Sequence, residues 1–304
     1  MSLGVLNNIS AIYAENNLNQ TQSSLQDVLT QLSSGSRINS GADDAAGLSL
    51  ANGLGANSAA LTQSSTNASE GVGLLQVADG ALSQVTNLLN RAVTLATEAS
   101  NGTLNATQDS AANSEFQSIL DEISNIGSTT AYNGQQVFGG NFQIFTGDGT
   151  KGGGFADTIT LAALSSAAVG DSTGSAGLTY TSGAGTATST LVYAPVAADS
   201  VKLSTDDLTS AANAQTALND VYSAVQDVAA ERGYTGAQIN TLNAVSNVES
   251  TEQENVASAQ NSIQATDYAS ATSNLSKYEI LSQTGISALA QANSSEQLVT
   301  KLLQ

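Results

Sequence analysis

The stretch "LGANSAALTQSSTNASEGVGLLQVADGALSQVTNLLNRAVTLATEA", Leu54 to Ala99, decides the architecture. Leu54, Leu61, Ala68, Leu75, Leu82, Leu89 and Ala96 recur every seven residues, and Ala78, Val85, Ala92 and Ala99 follow three positions on. Two apolar positions in every seven lay one seam along a helix, the spacing by which long helices pair. A continuous helix from Asp43 to Ser100, at about 1.5 Å per residue, would run roughly 85 Å, far beyond an ordinary globular helix. The spacing predicts a mainly α chain of long antiparallel helices packed as a coiled-coil or rod-like bundle.

Upstream, Leu18, Leu25 and Leu32 continue a seven-residue spacing from Ala11 and predict an amphipathic helix over 5–33. Downstream, Ala112, Phe116, Ile119, Ile123 and Ile126 share one face of a third helix from about Gln108 to Ile126. "YNG", Tyr132 to Gly134, reads as a turn. Near the other end, Ala211, Ala214, Leu218, Val221, Val225 and Val228 form a stripe predicted to stop near Gly233. Leu242, Val245, Val256, Ala259 and Ile263 form another, and Leu275, Tyr278, Leu281, Ile286, Leu289, Val299 and Leu302 carry helix to the end.

Between these helical ends, residues 140–200 are dominated by Gly, Ser, Thr and Ala, and helical periodicity disappears. "FQIF" (142–145) and "DTITLAA" (157–163) flank "TGDGTKGGG" (146–154), which reads as a β-hairpin with a glycine-rich surface turn. A small β-hairpin-rich region is thus expected as an insertion at the distal tip of the helical hairpin. Three domains follow: a terminal coiled coil of 1–42 with 266–304, a helical rod of 43–140 with 200–265, and a β-rich outer segment of 141–199.

Composition narrows the function. The 304 residues include no His, Cys or Trp, and only 4% are aromatic. That removes the imidazole base, the thiol nucleophile and the zinc-type metal site, and leaves carboxylate, hydroxyl or lysine chemistry. With 26 acidic against 7 basic residues and a net charge of −19, the chain is repelled by nucleic acid and by anionic membranes. No segment reaches the roughly 18 continuous apolar residues of a membrane span, and "MSLGVLNNISAIYAENN" lacks the basic start and apolar run of a signal peptide. Lys151 is followed by Gly152, so "GDGTKGGG" lacks the end of a phosphate-binding loop. No cofactor is implied.

The predicted helices carry Asn, Gln, Ser and Thr on their polar faces, residues that form helix weakly or compete for backbone hydrogen bonds. Residues 1–42 hold only Glu15, Asp27 and Arg37 as charged side chains. Such faces suit burial among many similar helices, with amides and hydroxyls bonded across the seams. In "SSGSRINSGADDAAGLSL", Ser33 to Leu50, glycine and serine end one helix and Asp43 or Asp44 can cap the next. Arg37 would pair with those aspartates or with a neighbouring subunit. No oriented nucleophile or base accompanies the two carboxylates, so the stretch reads as an inter-domain joint formed by Arg37, Asp43 and Asp44.

"VLNNISAIYAENNLNQTQSSLQDVLTQLSSGSRINSGADDAAGLSLA" (5–51) resembles the amino-terminal segment of bacterial flagellins, and "IQATDYASATSNLSKYEILSQTGISALAQANSSEQLVTKLLQ" (263–304) their carboxyl-terminal segment. The resemblance extends over roughly 1–140 and 205–304, with a shortened middle. It implies a structural subunit that polymerises into the extracellular flagellar filament for swimming motility, without enzymatic activity. It further implies that Leu18, Leu25, Leu32, Leu289 and Leu302 pack the filament core, and Leu75, Leu82 and Leu89 the rod. Implied partners are other copies of the chain, the flagellar export apparatus with a chaperone, and hook-associated and cap proteins. Export would proceed without a cleavable signal peptide.

In "NRAVTLATEASN" (90–101) and "SEFQSILDEI" (114–123), Arg91, Leu95 and Glu115 match the family's contacts to Toll-like receptor 5, while Val93, Thr94 and Ile119 depart from the charged neighbours of strongly recognised members. Leu95 as packing and Arg91 as a solvated charge is the alternative. Two other functions compete with the filament subunit: a flagellin-like hook–filament junction protein, and a secreted monomeric adhesin or immune-receptor ligand.

Overall fold

The computed structural model describes residues 8–147, 155–166, 169, 177–181, 188–192 and 203–302. Two compact units emerge: Met1–Ala56 with Asn255–Gln304, and Asn57–Glu254. The helices are α1 (Ile9–Ser34), α2 (Ala45–Ser100), α3 (Ala106–Thr129), α4 (Ala211–Gln264) and α5 (Tyr268–Leu302), with strands β1 to β6 between α3 and α4.

In residues 57–254 the seven-residue stripe of α2 is the centre of the core. Leu61, Ala68, Leu75, Ala78, Leu82, Val85, Leu89, Ala92, Ala96 and Ala99 are each at most 1% exposed. From Leu75 on they pack with Phe116, Ile119, Leu120 and Ile123 of α3 and Ala214, Ala217, Val221, Ala224, Val228 and Leu242 of α4. Alanine and larger apolar side chains of the three helices together fill this core. Hydrogen bonds set the register: Thr62 with Gln253 (2.8 Å), Ser65 with Ser246 (2.9 Å) and Asp79 with Arg232 (2.8 Å). As the α2 number rises the α4 number falls, so the two helices are antiparallel. A capping box starts α3: Asn105 accepts from the amides of Thr107 and Gln108, and Gln108 returns a bond to the Asn105 amide.

The expected stop near Gly233 is corrected, because α4 continues through Gly233 and Gly236 to Gln264. A helical glycine costs about 1 kcal/mol. Tyr234, Thr235, Gln238 and Leu242 keep the three- and four-residue spacing and are buried, and burying one large apolar side chain returns about 2 kcal/mol. Packing therefore outweighs the local penalty.

β1 (Ala131–Tyr132) and β2 (Gln135–Gln136) form the predicted turn at "YNG". Asn133 and Gly134 both have positive φ, 50° and 79°, the two-residue hairpin conformation that Asn-Gly supplies. β3 (Asn141–Thr146) and β4 (Phe155–Thr160) pair antiparallel from Asn141↔Thr160 to Thr146↔Phe155, as the sequence predicts. β5 (Gly177–Thr181) and β6 (Thr188–Val192) complete a four-stranded sheet in the order β3-β4-β5-β6. The connecting residues 148–154, including the expected glycine-rich surface turn, lie outside the described residues, as does Pro195.

The β3–β4 hairpin turns Ile144, Thr146, Asp157 and Ile159 inward. A Cβ at Gly71 would fall on the Ile144 side chain and touch Leu242, so the hairpin is seated on the flank of α2 and α4, between their ends. Gly127 of α3 plays the same part for the chain after β4, where a Cβ would fall on the Leu164 carbonyl. Both glycines are there for close approach.

Candidate functional site

In the unit formed by residues 1–56 and 255–304, α1 lies antiparallel to α5. The Asn8 side chain donates to the Ala292 carbonyl (3.2 Å), Leu18 meets Gly285, and the Thr266 amide donates to the Gly35 carbonyl (3.1 Å). Asn8 also caps α1 by accepting from the Ala11 amide (3.0 Å). Gly35 ends α1 in the left-handed conformation, φ 70°, and a Cβ there would meet the Tyr268 hydroxyl at 2.9 Å.

Burial on this pair is shallow. Leu18, Leu25, Leu32 and Leu289 are half-buried, and Val28 is the fully buried residue of α1. The Leu302 side chain lies outside the described residues. Ile9, Ile12, Tyr13 and Leu29 of α1, and Tyr268, Ile280, Leu281 and Ile286 of α5, are between 42% and 67% exposed. Asn17, Leu18, Thr21, Tyr278, Leu281 and Gly285 line a groove between the two helices. A surface alternating apolar groups with amides and hydroxyls is suited to receive another helix of the same kind.

At the joint, the two aspartates take different tasks. Asp44 Oδ1 accepts from the Gly47 amide (2.8 Å), the bond by which an N-cap opens α2. Asp43 Oδ2 accepts from the amides of Asn39 (2.9 Å) and Ser40 (2.8 Å), closing the turn ahead of that cap. Those backbone bonds favour the ionised carboxylate and hold Asp43 below its ordinary range. Arg37 is placed on neither aspartate. Its guanidinium donates to the Ile263 carbonyl (2.8 Å) and its amide to the Gln264 carbonyl (2.7 Å), the end of α4 where carbonyls are free and a cation is favoured.

Arg37 thereby ties the turn after α1 to the break between α4 and α5. Ser36 pairs with Ala265 across it, and Ile38 beside it is 3% exposed. The break itself runs from Ala265 to Asp267. Its signal is the Asp267 cap in "TDYAS": Asp267 Oδ1 accepts from the Ala269 (3.0 Å) and Ser270 (3.2 Å) amides.

Leu75, Leu82 and Leu89 lie at the centre of the α2–α3–α4 core with no exposed surface. Leu95 is also buried, at 3% exposure. Arg91 and Glu115 meet on the surface, Arg91 Nε donating to Glu115 Oε1 at 2.7 Å, each about half exposed. The pairing raises the arginine and lowers the carboxyl from their ordinary values.

Residues 5–143 match the sequence model of the bacterial flagellin N-terminal helical region, and residues 218–303 that of the C-terminal helical region. Over 299 residues the chain is 32% identical to a flagellin of Halalkalibacterium halodurans, covering 98% of each chain. It is 32% identical over 297 residues to a flagellin of Listeria monocytogenes, covering 97% of this chain and 98% of that one. A crystal structure of Bacillus cereus flagellin is 26% identical, covers 60% of this chain and 88% of its own, and superposes with a TM-score of 0.44.

Proposed function

The chain belongs to the bacterial flagellin family, and from that premise we propose which of its surfaces build the filament. It is a structural subunit that polymerises with its own kind into the extracellular flagellar filament for swimming motility, and it is not an enzyme. The terminal domain, 1–42 with 266–304, makes the filament core; 43–140 with 200–265 makes the rod; 141–199 faces outward. Leu18, Leu25, Leu32, Leu289 and Leu302 pack the core, Leu75, Leu82 and Leu89 the rod, and Arg37, Asp43 and Asp44 form the joint.

The observation that carries this reading is the half-exposed apolar and amide surface of α1 and α5. Each copy can bury that surface against others by a head-to-tail, non-closing contact, which generates an open helical tube. Small register differences between rows of packed helices then curve the tube into a supercoil that acts as a propeller. Because the terminal helices bury so little within one chain, they fold fully on assembly.

Further partners follow from the family: an export apparatus and chaperone that deliver the chain, and hook-associated and cap proteins at the filament's ends. For Toll-like receptor 5, the exposed Arg91–Glu115 pair supports a polar contact, with Leu95 as packing behind it. Among the described residues, no helix is long and apolar enough to cross a membrane.

The test is negative-stain electron microscopy of the full chain, concentrated or seeded, beside a truncation lacking residues 1–32 and 275–304. Filaments from the full chain alone are the expected result. Filaments from both would remove the terminal helices from the core, and filaments from neither would favour the junction protein or a monomeric ligand.

A further inference from the structure

Asparagine followed by glycine is the dipeptide whose side chain and backbone react with each other most readily, because a residue without a Cβ leaves its amide nitrogen open to approach. The chain holds three such pairs, Asn52–Gly53, Asn101–Gly102 and Asn133–Gly134, and all six residues are exposed. Exposure therefore does not rank them. What ranks them is how firmly the backbone is held, since the glycine nitrogen reaches the Asn side-chain carbon only when the peptide between them turns.

Asn52 and Gly53 lie inside α2, where each peptide is fixed by the helical bond to the fourth carbonyl back, so turning one breaks the helix around it. Asn133 and Gly134 are the loop of the β1–β2 hairpin, and their φ values of 50° and 79° are held by the pairs Tyr132↔Gln135 and Ala131↔Gln136. That hairpin is itself anchored: the Val137 amide donates to the Thr130 carbonyl at 3.0 Å, and the Gln136 side chain to the Gly127 carbonyl at 3.1 Å. Asn101 and Gly102 follow Ser100, the last residue of α2. Their amides donate to the Glu98 and Ala99 carbonyls at 3.4 Å each, longer than the usual range of about 2.7 to 3.2 Å for such bonds. The Asn101 side-chain amide reaches the Thr103 hydroxyl, also at 3.4 Å. Gly102 has φ 65°, the left-handed conformation common where helices end, and a Cβ on it would meet nothing nearer than the Ala211 Cβ at 3.9 Å. Of the three pairs, this one has the weakest hold on its peptide and open space around it.

We propose that Asn101–Gly102, in the turn between α2 and α3, is a spontaneous modification site, where the folded chain loses ammonia before it does so at Asn133 or Asn52. The Gly102 nitrogen attacks Cγ of Asn101. The new C–N bond closes a succinimide ring, the Cγ–Nδ2 bond breaks, and Nδ2 leaves as ammonia with the proton that Gly102 gives up. Water then opens the ring at either carbonyl, leaving aspartate, or isoaspartate with the side-chain carbon drawn into the backbone. Either product sets a carboxylate beside the free carbonyls at the end of α2, with Glu98 in the turn before it, where negative charge is unfavourable. The last turn of α2 therefore loosens, just ahead of the Asn105 cap that starts α3.

Incubating the unpolymerised full chain in mildly alkaline buffer, with peptide mass spectrometry over time, tests this. The mass gain of an amide turned into a carboxyl should accumulate at residue 101 several-fold faster than at 133, and slowest at 52. In denaturant the three rates should converge, since the dipeptide is the same and only the fold separates them. A rate at 133 or 52 that matches or exceeds that at 101 in the folded chain would overturn the proposal. So would a lead of 101 that persists undiminished in denaturant, because the ranking would then come from neighbouring residues and not from the fold. The consequence is read separately on the variant Asn101→Asp by hydrogen exchange at Glu98 to Ser100. Exchange there should be several-fold faster than in the wild type, and unchanged exchange would refute the loosening.

Discussion

Leu75, Leu82 and Leu89 in α2 have no exposed surface, whereas Leu18, Leu25 and Leu32, on the same seven-residue spacing in α1, are half-buried. All eleven of the largest fully buried side chains lie in residues 57–254. Nine of the thirteen exposed large apolar residues described lie in the other unit. One spacing therefore produces two outcomes. With a third helix and a sheet to cover it, the stripe becomes a self-sufficient core; with one partner helix it remains open on one side. At about 2 kcal/mol for complete burial of a leucine, half-burial leaves roughly 1 kcal/mol per side chain to be gained from another copy. That open side is what the proposed assembly would cover.

Removing the open helices should break the contrast most completely. A chain without 1–32 and 275–304 is expected to lose filament formation altogether while the melting of the α2–α3–α4 core, followed by circular dichroism, stays cooperative. Next in size, Leu82→Ala should cost about 3 kcal/mol of unfolding free energy by chemical denaturation, with Leu25→Ala costing the unpolymerised chain well under half of that and instead raising the concentration needed for assembly. Equal costs at the two positions would show that the units are not differently packed.

Smaller effects sharpen the joint. Asp44→Ala removes the N-cap of α2 and should cost about 1 kcal/mol, read as faster amide exchange at Ala45 to Leu48. Asp43 and the carboxyls of Glu231 and Asp206 should respond to acid in opposite directions. Asp43 is lowered, so its contribution is present above about pH 4 and lost below it as the carboxylate protonates. Glu231 and Asp206 are raised, so theirs grows as pH falls from about 7. Smallest of all, Arg91→Ala breaks an exposed ion pair and should leave the melting temperature unchanged within error.

Much of this was legible because it rests on local periodicity. The stripe of α2, the face of α3 and the Asn-Gly hairpin depend on residues a few positions apart, whose side chains must emerge on one side whatever the rest of the chain does. The passage of α4 through Gly233 was not legible, because only the burial of Tyr234 and Leu242 against distant residues overrides the local glycine penalty. Likewise "SRINSGADD" announces a joint, but whether Arg37 turns to Asp43, to Asp44 or across to Ile263 is a choice among partners 226 residues apart.

By itself, then, the sequence determined the long helices, the inserted hairpin, the lack of catalytic equipment and the family to which the chain belongs. Each of these is written in spacing, composition or contiguous segments. Only the tertiary structure decided which equivalent leucines are sealed and which stay open, and that burial raises the Glu231 carboxyl of α4 above its ordinary range. Burial and partner choice are set by what arrives from elsewhere in the chain, and hydrophobic gain and carboxyl ionisation both follow from how much water those arrivals exclude.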